Sequence, residues 1–328
     1  MTGSDRGDPR HAGRASHGHA PLVSIVVPTY NSAQFLASTV DSVIAQTFED
    51  WELVLIDDGS NDKTVQLSQQ LAAGNPKIRA VEGTHGGPAA ARNEGLRHSN
   101  PRSEFVIFLD SDDKWEAQAL DVLLQALKDN PDCIAAHGLA RATNLQGVLY
   151  EGDDLADLMR RRRAVTTSGL VDVPISEPTT FSAMLVYNWI VTPGTCLIRR
   201  SALDTVGTFD PELQLAEDWD LNIRLARTGN LALVDHVVLN WRRHPNSLSS
   251  TSRRARRAHL DVRRRTVRSA LNSPEQRRAA LDMMRADWQS WWSSTRNAMP
   301  DREFRRMIAG IRYCTASFIS YWWLRLCH

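Results

Sequence analysis

Segments with the character of strands and helices alternate from Leu22 onwards, and this order constrains the fold more than any other feature of the chain. Short apolar runs rich in β-branched residues predict buried strands over residues 22–28, 51–56, 78–81 and 105–109. Amphipathic spacing predicts helices between them, over residues 33–47, 61–73 and 86–96. A repeat of this kind is typical of an α/β fold in which a parallel sheet carries helices on both faces.

Polar residues follow three of the predicted strands directly, at residues 28–31, 57–58 and 110–113. In a parallel sheet the carboxyl ends of the strands lie along one edge, and ligands bind in the crevice beyond that edge. The sequence therefore predicts a ligand site built from these three segments.

The acidic run 110–113 contains Asp110, Asp112 and Asp113. Carboxylates this close repel one another unless a cation neutralises them, and hard oxygen ligands suit Mg²⁺ or Mn²⁺. Because Mg²⁺ usually keeps few protein carboxylates and takes phosphate oxygens for its other positions, the run predicts a site for a divalent metal and a diphosphate. The alternative is a solvated acidic turn that caps a helix starting near Glu116.

Two further segments near the same edge suit a nucleotide. Asp57 and Asp58 either accept hydrogen bonds from a base or ribose or form only a turn. Arg92, near the start of its helix, either meets phosphate together with the free N–H groups there or is an ordinary surface arginine. The glycine-rich residues 83–89 match neither the dinucleotide fingerprint nor the P-loop, which disfavours hydride transfer and P-loop phosphoryl transfer.

Two segments in the second half of the chain carry further candidates. Glu217 and Asp218 open a predicted helix, where the macrodipole favours carboxylates, so the pair is either a good helix start or the place of a general base. His244 follows a predicted strand and is either a metal or phosphate contact or a surface histidine before a proline.

Taken together, these segments resemble glycosyltransferase family 2. The resemblance rests on motifs that occur in the family's order, namely VSIVVPTYN (23–31), SVIAQT (42–47), ELVLIDDGS (52–60), GGPAAARNEG (86–95), FLDSDD (108–113), GTFDP (207–211), EDWDL (217–221) and RHPNSLS (243–249). It implies a GT-A fold with a Rossmann-like nucleotide-binding sheet. It also implies inverting transfer of a sugar from a nucleoside-diphosphate sugar to the hydroxyl of a carbohydrate, lipid-linked or small-molecule acceptor.

The resemblance further implies a role for each site residue. Asp218 would be the catalytic base that accepts the proton of the acceptor hydroxyl. Asp112, Asp110 and His244 would bind a divalent metal, Mg²⁺ or Mn²⁺. The residues implied for the donor and its nucleotide are Pro28, Thr29, Tyr30, Asp57, Asp58, Arg92, Asp110, Ser111 and Asp113.

Composition divides the chain into three parts. Residues 1–20 are polar, have no apolar run and are predicted to be a disordered tail, whereas residues 21–250 form the predicted catalytic domain. Residues 251–328 form an Arg- and Trp-rich helical extension with 17 Arg and six acidic residues, against 22 basic and 32 acidic residues before it. This basic extension predicts either peripheral contact with an anionic membrane or packing on the catalytic domain or a second subunit.

Three expectations about class and compartment complete the interpretation. The four cysteines lie far apart without a C-x-x-C pair, which fits a reduced, cytoplasmic compartment, peripheral at most to the inner face of a membrane. The tryptophans of the extension follow helical spacing, so no nucleic-acid partner is expected. The competing functions are a sugar-nucleotide-binding protein without turnover and a nucleotidyltransferase, and the latter would need a glycine-rich basic loop that is absent after the first strand.

Overall fold

A computed structural model describes residues 20–83, 85–150, 152, 155–244 and 253–298, without the side chains of 253–257 and 287–298. The predicted disordered tail, except for Ala20, and residues 299–328 of the predicted helical extension lie outside the described residues. Among the helices that are described, none is both long and apolar enough to cross a membrane.

The first half of the chain forms the predicted alternation of strands and helices. Its strands are β1 (Val23–Thr29), β2 (Trp51–Asp57), β3 (Ile78–Glu82) and β4 (Phe105–Phe108). Its helices are α1 (Leu36–Ile44), α2 (Thr64–Gly74) and α3 (Gly87–His98). All four strands are parallel, in the order β3-β2-β1-β4, so their carboxyl ends share one edge.

The next elements extend the sheet and cover it. They are β5 (Lys114–Trp115), α4 (Ala119–Asp129) and β6 (Ala135–Thr143). Helix α4 presents Leu120, Leu123 and Leu127 to the core, and all three side chains are buried. The i, i+3, i+7 spacing of these leucines makes one apolar stripe, which is why this segment packs as a helix on the sheet.

Residues 141–182 are more ordered than their sequence indicates. The weak pattern there predicts a variable loop, but the structure contains α5 (Leu155–Arg160), a hairpin of β7 (Arg163–Thr166) and β8 (Gly169–Asp172), and α6 (Phe181–Val186). Elements of four to six residues carry too few repeats for a period to be visible. Arg162 also orders the segment, because its buried guanidinium donates to the carbonyl oxygens of Pro174 and Glu177.

The following elements close the sheet. A short 3₁₀ helix (Pro193–Thr195) precedes β9 (Cys196–Arg199), and α7 (Arg200–Val206), α8 (Glu217–Thr228) and β10 (Leu231–Arg242) follow. The complete order is β3-β2-β1-β4-β9-β6-β10-β5, with β9 antiparallel to both of its neighbours. Strand β10 is continuous, but its register against β6 shifts between Leu233 and Leu239.

The described part of the C-terminal extension packs against the catalytic part. It consists of α9 (Arg253–Arg268) and α10 (Pro274–Ala298). Val262 and Val267 of α9 and Met283 of α10 are buried in the same apolar cluster as Trp219 of α8 and Met184 of α6. These two helices therefore share a core with the sheet domain.

Gly95 allows α3 to lie directly on β1 and β2. A Cβ atom at this position would lie 2.3 Å from Cγ1 of Val26 and 3.0 Å from Cγ1 of Ile56. We therefore expect Gly95→Ala to lower the free energy of unfolding by about 1–3 kcal/mol through overpacking, despite the better helix propensity of alanine. Urea denaturation measures the change.

Gly74 provides the matched control for this substitution. It is the last residue of α2, and no atom lies within 4 Å of the Cβ it would gain. Gly74→Ala should therefore leave stability unchanged or raise it by about 0.5–1 kcal/mol. Equal effects of the two substitutions would show that close packing at Gly95 does not determine the position of α3.

Candidate active site

The end of β1 and the end of β2 are held together by the carboxylate of Asp57. Its Oδ2 accepts hydrogen bonds from the backbone N–H groups of Gly59 (3.0 Å) and Ser60 (2.8 Å), and Thr29 Oγ1 lies 3.4 Å from its Oδ1. Asp57 is therefore the residue that shapes this turn. Pro28 lies within β1 opposite Ile56, one residue before the strand ends at Thr29.

Asp58 connects the same edge to the start of α3. Its two carboxylate oxygens accept from the backbone N–H groups of Gly86 (2.8 Å) and Gly87 (2.9 Å), where the positive end of the helix favours a carboxylate. Next to it, the imidazole of His85 makes a hydrogen bond to the Asp58 carbonyl oxygen at 2.7 Å. The His85 ring packs 5.0 Å from the ring of Tyr30, which is 49% exposed, so the edge presents an aromatic surface.

A serine pair joins the ends of β1 and β2 to the acidic loop after β4. The hydroxyls of Ser32 and Ser111 lie 2.7 Å apart, and Thr39 of α1 donates to the Ser111 carbonyl oxygen at 2.8 Å. These contacts place the predicted Ser111 beside the segment that carries Tyr30. The carboxyl ends of β1 and β4 thus form one continuous surface, as parallel strands should.

Asp113 is the fully buried member of the acidic loop. Its carboxylate accepts from the backbone N–H of Arg242 and the hydroxyl of Thr192, both at 3.1 Å. Burial, and then the nearby charges of Asp112 and Asp110, raise the pKa of Asp113 well above its ordinary value. The side chain therefore lies beneath the loop, where it fixes Thr192 and Arg242 in place.

Asp112 meets His244 at the end of β10. The Nε2 atom of His244 lies 2.8 Å from Oδ2 of Asp112, although 132 residues separate the two in sequence. Burial and the charge of Asp110 raise the pKa of Asp112, and the contact with His244 lowers it. Arg242 binds the Asp112 carbonyl oxygen through Nε and the hydroxyls of Ser38 and Thr39 through its other nitrogens.

These surroundings fit a divalent cation that has few protein ligands. A bound positive ion would stabilise the charged form of the Asp112 carboxylate, which burial and the charge of Asp110 disfavour. The carboxylate oxygen of Asp112 and the ring nitrogen of His244 form a pair of ligands that Mn²⁺ or Mg²⁺ accepts. Within the described part of the chain, no three His, Cys, Asp or Glu side chains are grouped closely enough to hold an ion. Most of the ligands would have to come from a bound diphosphate.

Arg92 forms a buried bridge between two acidic segments. Its guanidinium donates to Oδ1 of Asp110 and to Oε1 of Glu217, each at 2.6 Å. Burial disfavours its charged form, but the two carboxylates outweigh that effect and raise the pKa of Arg92. The side chain predicted to approach the nucleotide therefore connects the loop after β4 to the first residue of α8.

Asp218 follows Glu217 and is half-buried next to this bridge. Burial, and then the charge of Glu217, raise the pKa of Asp218 to about 7. Its Oδ2 accepts a hydrogen bond of 2.9 Å from the side-chain amide of Asn188, which in turn accepts from the amide of Asn222 at 3.0 Å. The carboxylate is thus held in one orientation and titrates near neutral pH, which suits a general base.

The residues predicted from sequence lie along the carboxyl edge of the sheet or are joined to it by side-chain contacts, except Asp218, which adjoins the edge through its neighbour Glu217 and the Arg92 bridge to Asp110. Four contributors were not predicted, namely His85, Asn188, Thr192 and Arg242. Thr192 and Arg242 act through partners 79 and 130 residues away, and Asn188 acts through Asp218, 30 residues away, so no local pattern indicates these three. His85 could have been predicted from the sequence, because it directly precedes the glycines whose N–H groups bind Asp58.

The chain matches the model of the family described as Glycosyl transferase family 2 over residues 24–207, which include β1 from its second residue, the acidic loop and Arg92. The chain belongs to this family. The resemblance read from the sequence motifs is therefore confirmed.

One relative within the family is the uncharacterized glycosyltransferase EpsJ of Bacillus subtilis (strain 168). It is 26% identical over 232 residues, which cover 70% of this chain and 63% of the relative. The match thus spans less than two thirds of that relative's own length.

Two solved structures share the fold. Staphylococcus aureus TarS 1–349 in complex with UDP-GlcNAc has a TM-score of 0.61 at 20% identity, over 81% of this chain and 72% of that 1–349 chain. The mannosyltransferase PcManGT from Pyrobaculum calidifontis, in complex with GDP-Man and Mn²⁺, has a TM-score of 0.55 at 19% identity, over 94% of this chain and 85% of that one. These similarities confirm the α/β fold of the GT-A type.

Proposed function

We propose that the chain is an inverting glycosyltransferase that moves a sugar from a nucleoside-diphosphate sugar to an acceptor hydroxyl, with Asp218 as the general base. The observation that carries the proposal is the bridge from Asp110 through Arg92 to Glu217. It brings a carboxylate with a pKa of about 7 beside the acidic loop that follows β4. A base and an anion-neutralising site are the two groups that sugar transfer from a nucleotide requires.

The donor would lie across the carboxyl ends of β1, β2 and β4. The exposed ring of Tyr30, packed on His85, offers a face on which a base can stack, and Asp57 and Asp58 shape the turn below it. The fold is shared with TarS and PcManGT, whose structures hold UDP-GlcNAc and GDP-Man respectively. A nucleoside-diphosphate sugar is therefore the donor class that we assign.

Asp112 and His244 would hold a divalent ion, with Asp110 close by but bound to Arg92. When bound, Mg²⁺ or Mn²⁺ would neutralise the negative charge that grows on the departing diphosphate. Arg242 and Thr192 keep the loop that carries these ligands in place, through the Asp112 carbonyl oxygen and the Asp113 carboxylate.

Asp218 would take the proton from the acceptor hydroxyl as that oxygen attacks the anomeric carbon. The bond from the anomeric carbon to the diphosphate oxygen breaks, and its electron pair leaves with the nucleoside diphosphate. Because attack comes from the face opposite the leaving group, a single displacement inverts the anomeric configuration. The Asn188 amide, which donates to one carboxylate oxygen, leaves the other oxygen of Asp218 to receive the proton.

The pKa of Asp218 predicts how activity depends on pH. A base must be ionised to work, and burial and Glu217 raise the pKa of Asp218 to about 7. We therefore expect kcat/KM to fall about tenfold per pH unit below that pKa and to level off above it. Asn188→Ala removes a donor to the charged form and should move this acid limb to higher pH. A flat profile through neutral pH would contradict the assignment.

Calorimetric titration with a panel of nucleoside diphosphates, with and without Mn²⁺, tests donor binding. We expect one base to be preferred and Mn²⁺ to tighten binding, an effect that Asp112→Asn reduces by about tenfold or more. Asp132→Asn, at an exposed acid far from this edge, is the matched control. If no nucleoside diphosphate binds with or without the metal, the proposal is wrong, and if binding occurs but no nucleotide sugar is turned over, the chain is a binding protein.

A further inference from the structure

We propose that Tyr187 forms an acceptor subsite beside Asp218 and that this subsite receives the ring of a carbohydrate acceptor. The inference rests on the proposed function, because it takes Asp218 as the group that deprotonates the acceptor. It goes further by choosing a sugar over the other acceptor classes and by naming the side chain that binds it.

The position of Tyr187 is fixed by its neighbour in sequence. Tyr187 directly follows α6, and the next residue, Asn188, donates to Oδ2 of Asp218 at 2.9 Å. Burial and the charge of Asp218 raise the pKa of the Tyr187 phenol, so its hydroxyl remains a proton donor at neutral pH. An aromatic ring and a hydrogen-bond donor therefore stand next to the proposed base.

The Tyr187 ring combines exposure with support from one side. It is 43% exposed and packs against Trp189, with ring centroids 5.3 Å apart and planes at 61°. Trp189 is itself only 3% exposed and donates through Nε1 to the carbonyl oxygen of Ala183. A large apolar ring that is held in place and open to solvent beside a reactive carboxylate suits a binding surface.

Helix α9 braces the segment that presents Tyr187. Arg263 donates to the carbonyl oxygen of Val186 at 2.7 Å, and its guanidinium lies 5.2 Å from the ring of Trp219. Trp219 in turn donates to the carbonyl oxygen of Met184 at 2.8 Å. The end of α6 is thereby fixed from two sides, which gives the C-terminal extension a part in positioning the subsite.

The chemistry of the surface favours a sugar ring. A pyranose has a face of C–H groups, which carry partial positive charge and suit the negative face of an aromatic ring, and a rim of hydroxyls that need polar partners. Asn188, the next residue in the chain, and Asp218, whose charge acts on the Tyr187 phenol, provide polar groups near this ring. A long alkyl chain would place apolar carbons against those same polar groups, so it suits the surface less well.

Saturation-transfer NMR on the full chain tests the subsite with methyl pyranosides as probes. The samples contain a nucleoside diphosphate and no Mn²⁺. Saturating the protein's aromatic protons should give a strong signal on C–H groups of one pyranoside face. Tyr187→Ala should lower that signal several-fold and raise the dissociation constant of the pyranoside about tenfold. Tyr187→Phe should change the same dissociation constant by no more than about threefold. Leu271→Ala, at an apolar side chain of 78% exposure after α9, is the control.

Ribitol and farnesyl phosphate are the competing probes, because one lacks a ring and the other carries an alkyl chain. The proposal is overturned if pyranosides give no signal with the unaltered chain, if Tyr187→Ala leaves their signal unchanged, or if farnesyl phosphate alone depends on Tyr187. Nucleotide calorimetry on the same samples distinguishes a failure of the subsite from a failure of the proposed function. Retained nucleotide binding without pyranoside binding rejects only the subsite, whereas absent nucleotide binding rejects the proposed function.

Discussion

Asp218→Asn is expected to lower kcat by about a hundredfold to ten-thousandfold while donor binding stays within about twofold of normal. The substitution keeps the shape of the side chain and removes its ability to accept a proton. Asp218 is not among the groups that we assign to the nucleotide, and Glu217 still pairs with Arg92, so the donor site should remain intact. Initial rates of nucleoside diphosphate release and calorimetric donor affinity measure the two quantities separately.

Asp220→Asn is the control for that loss. Asp220 lies one residue beyond Trp219 in the same helix, but its carboxylate pairs with Arg224 at 2.8 Å. Its substitution should cost little activity. Near-normal turnover with Asp218→Asn would reject Asp218 as the base, and equal losses from both substitutions would point to a general effect on α8.

Arg92→Met is expected to lower the free energy of unfolding by about 3–5 kcal/mol and to remove most activity. The guanidinium is buried and neutralises Asp110 and Glu217, so its loss leaves two carboxylates without their partner in a site of low polarity. Either those carboxylates take up protons or the segments that carry them separate. Urea denaturation gives the stability change, and donor calorimetry on the folded variant shows whether the loop after β4 is still in place.

Arg97→Met is the matched control, because Arg97 lies in the same helix. It pairs with Glu94 at the surface, and such exposed pairs contribute about 0–1 kcal/mol. Arg92→Lys keeps the charge but cannot serve both carboxylates with a planar fork, so we expect an intermediate loss. If Arg92→Met were as stable and active as Arg97→Met, the bridge would not be what joins the two halves of the site.

The strands and the loops at their carboxyl ends were predictable because their signals are local. The apolar run that forms β1 and the acidic loop that begins at Asp110 are each visible within ten residues, and the rule for parallel sheets then brings the loops together. The order of the sequence motifs indicated the family, and the family indicated the fold. The short elements between 141 and 182 were missed, since hairpins and single-turn helices show too few periods to detect.

The partners of individual side chains were not predictable, because they depend on tertiary contacts. Arg92 was predicted near phosphate, yet both ends of its guanidinium bind carboxylates, and one of these lies 125 residues away. Asp58 was predicted to face the nucleoside, and its two oxygens accept from the start of α3. Spacing in a sequence shows which residues reach the edge, whereas the bonds they make there follow from packing of distant segments.

The most direct measurement is the anomeric configuration of the first product, followed by proton NMR during turnover of an α-linked nucleoside-diphosphate sugar. A single displacement with Asp218 as base predicts that the new anomeric signal is that of the β-linked sugar, and that Asp218→Asn abolishes its appearance. A product that keeps the α configuration, or one that Asp218→Asn forms at the normal rate, would contradict the mechanism.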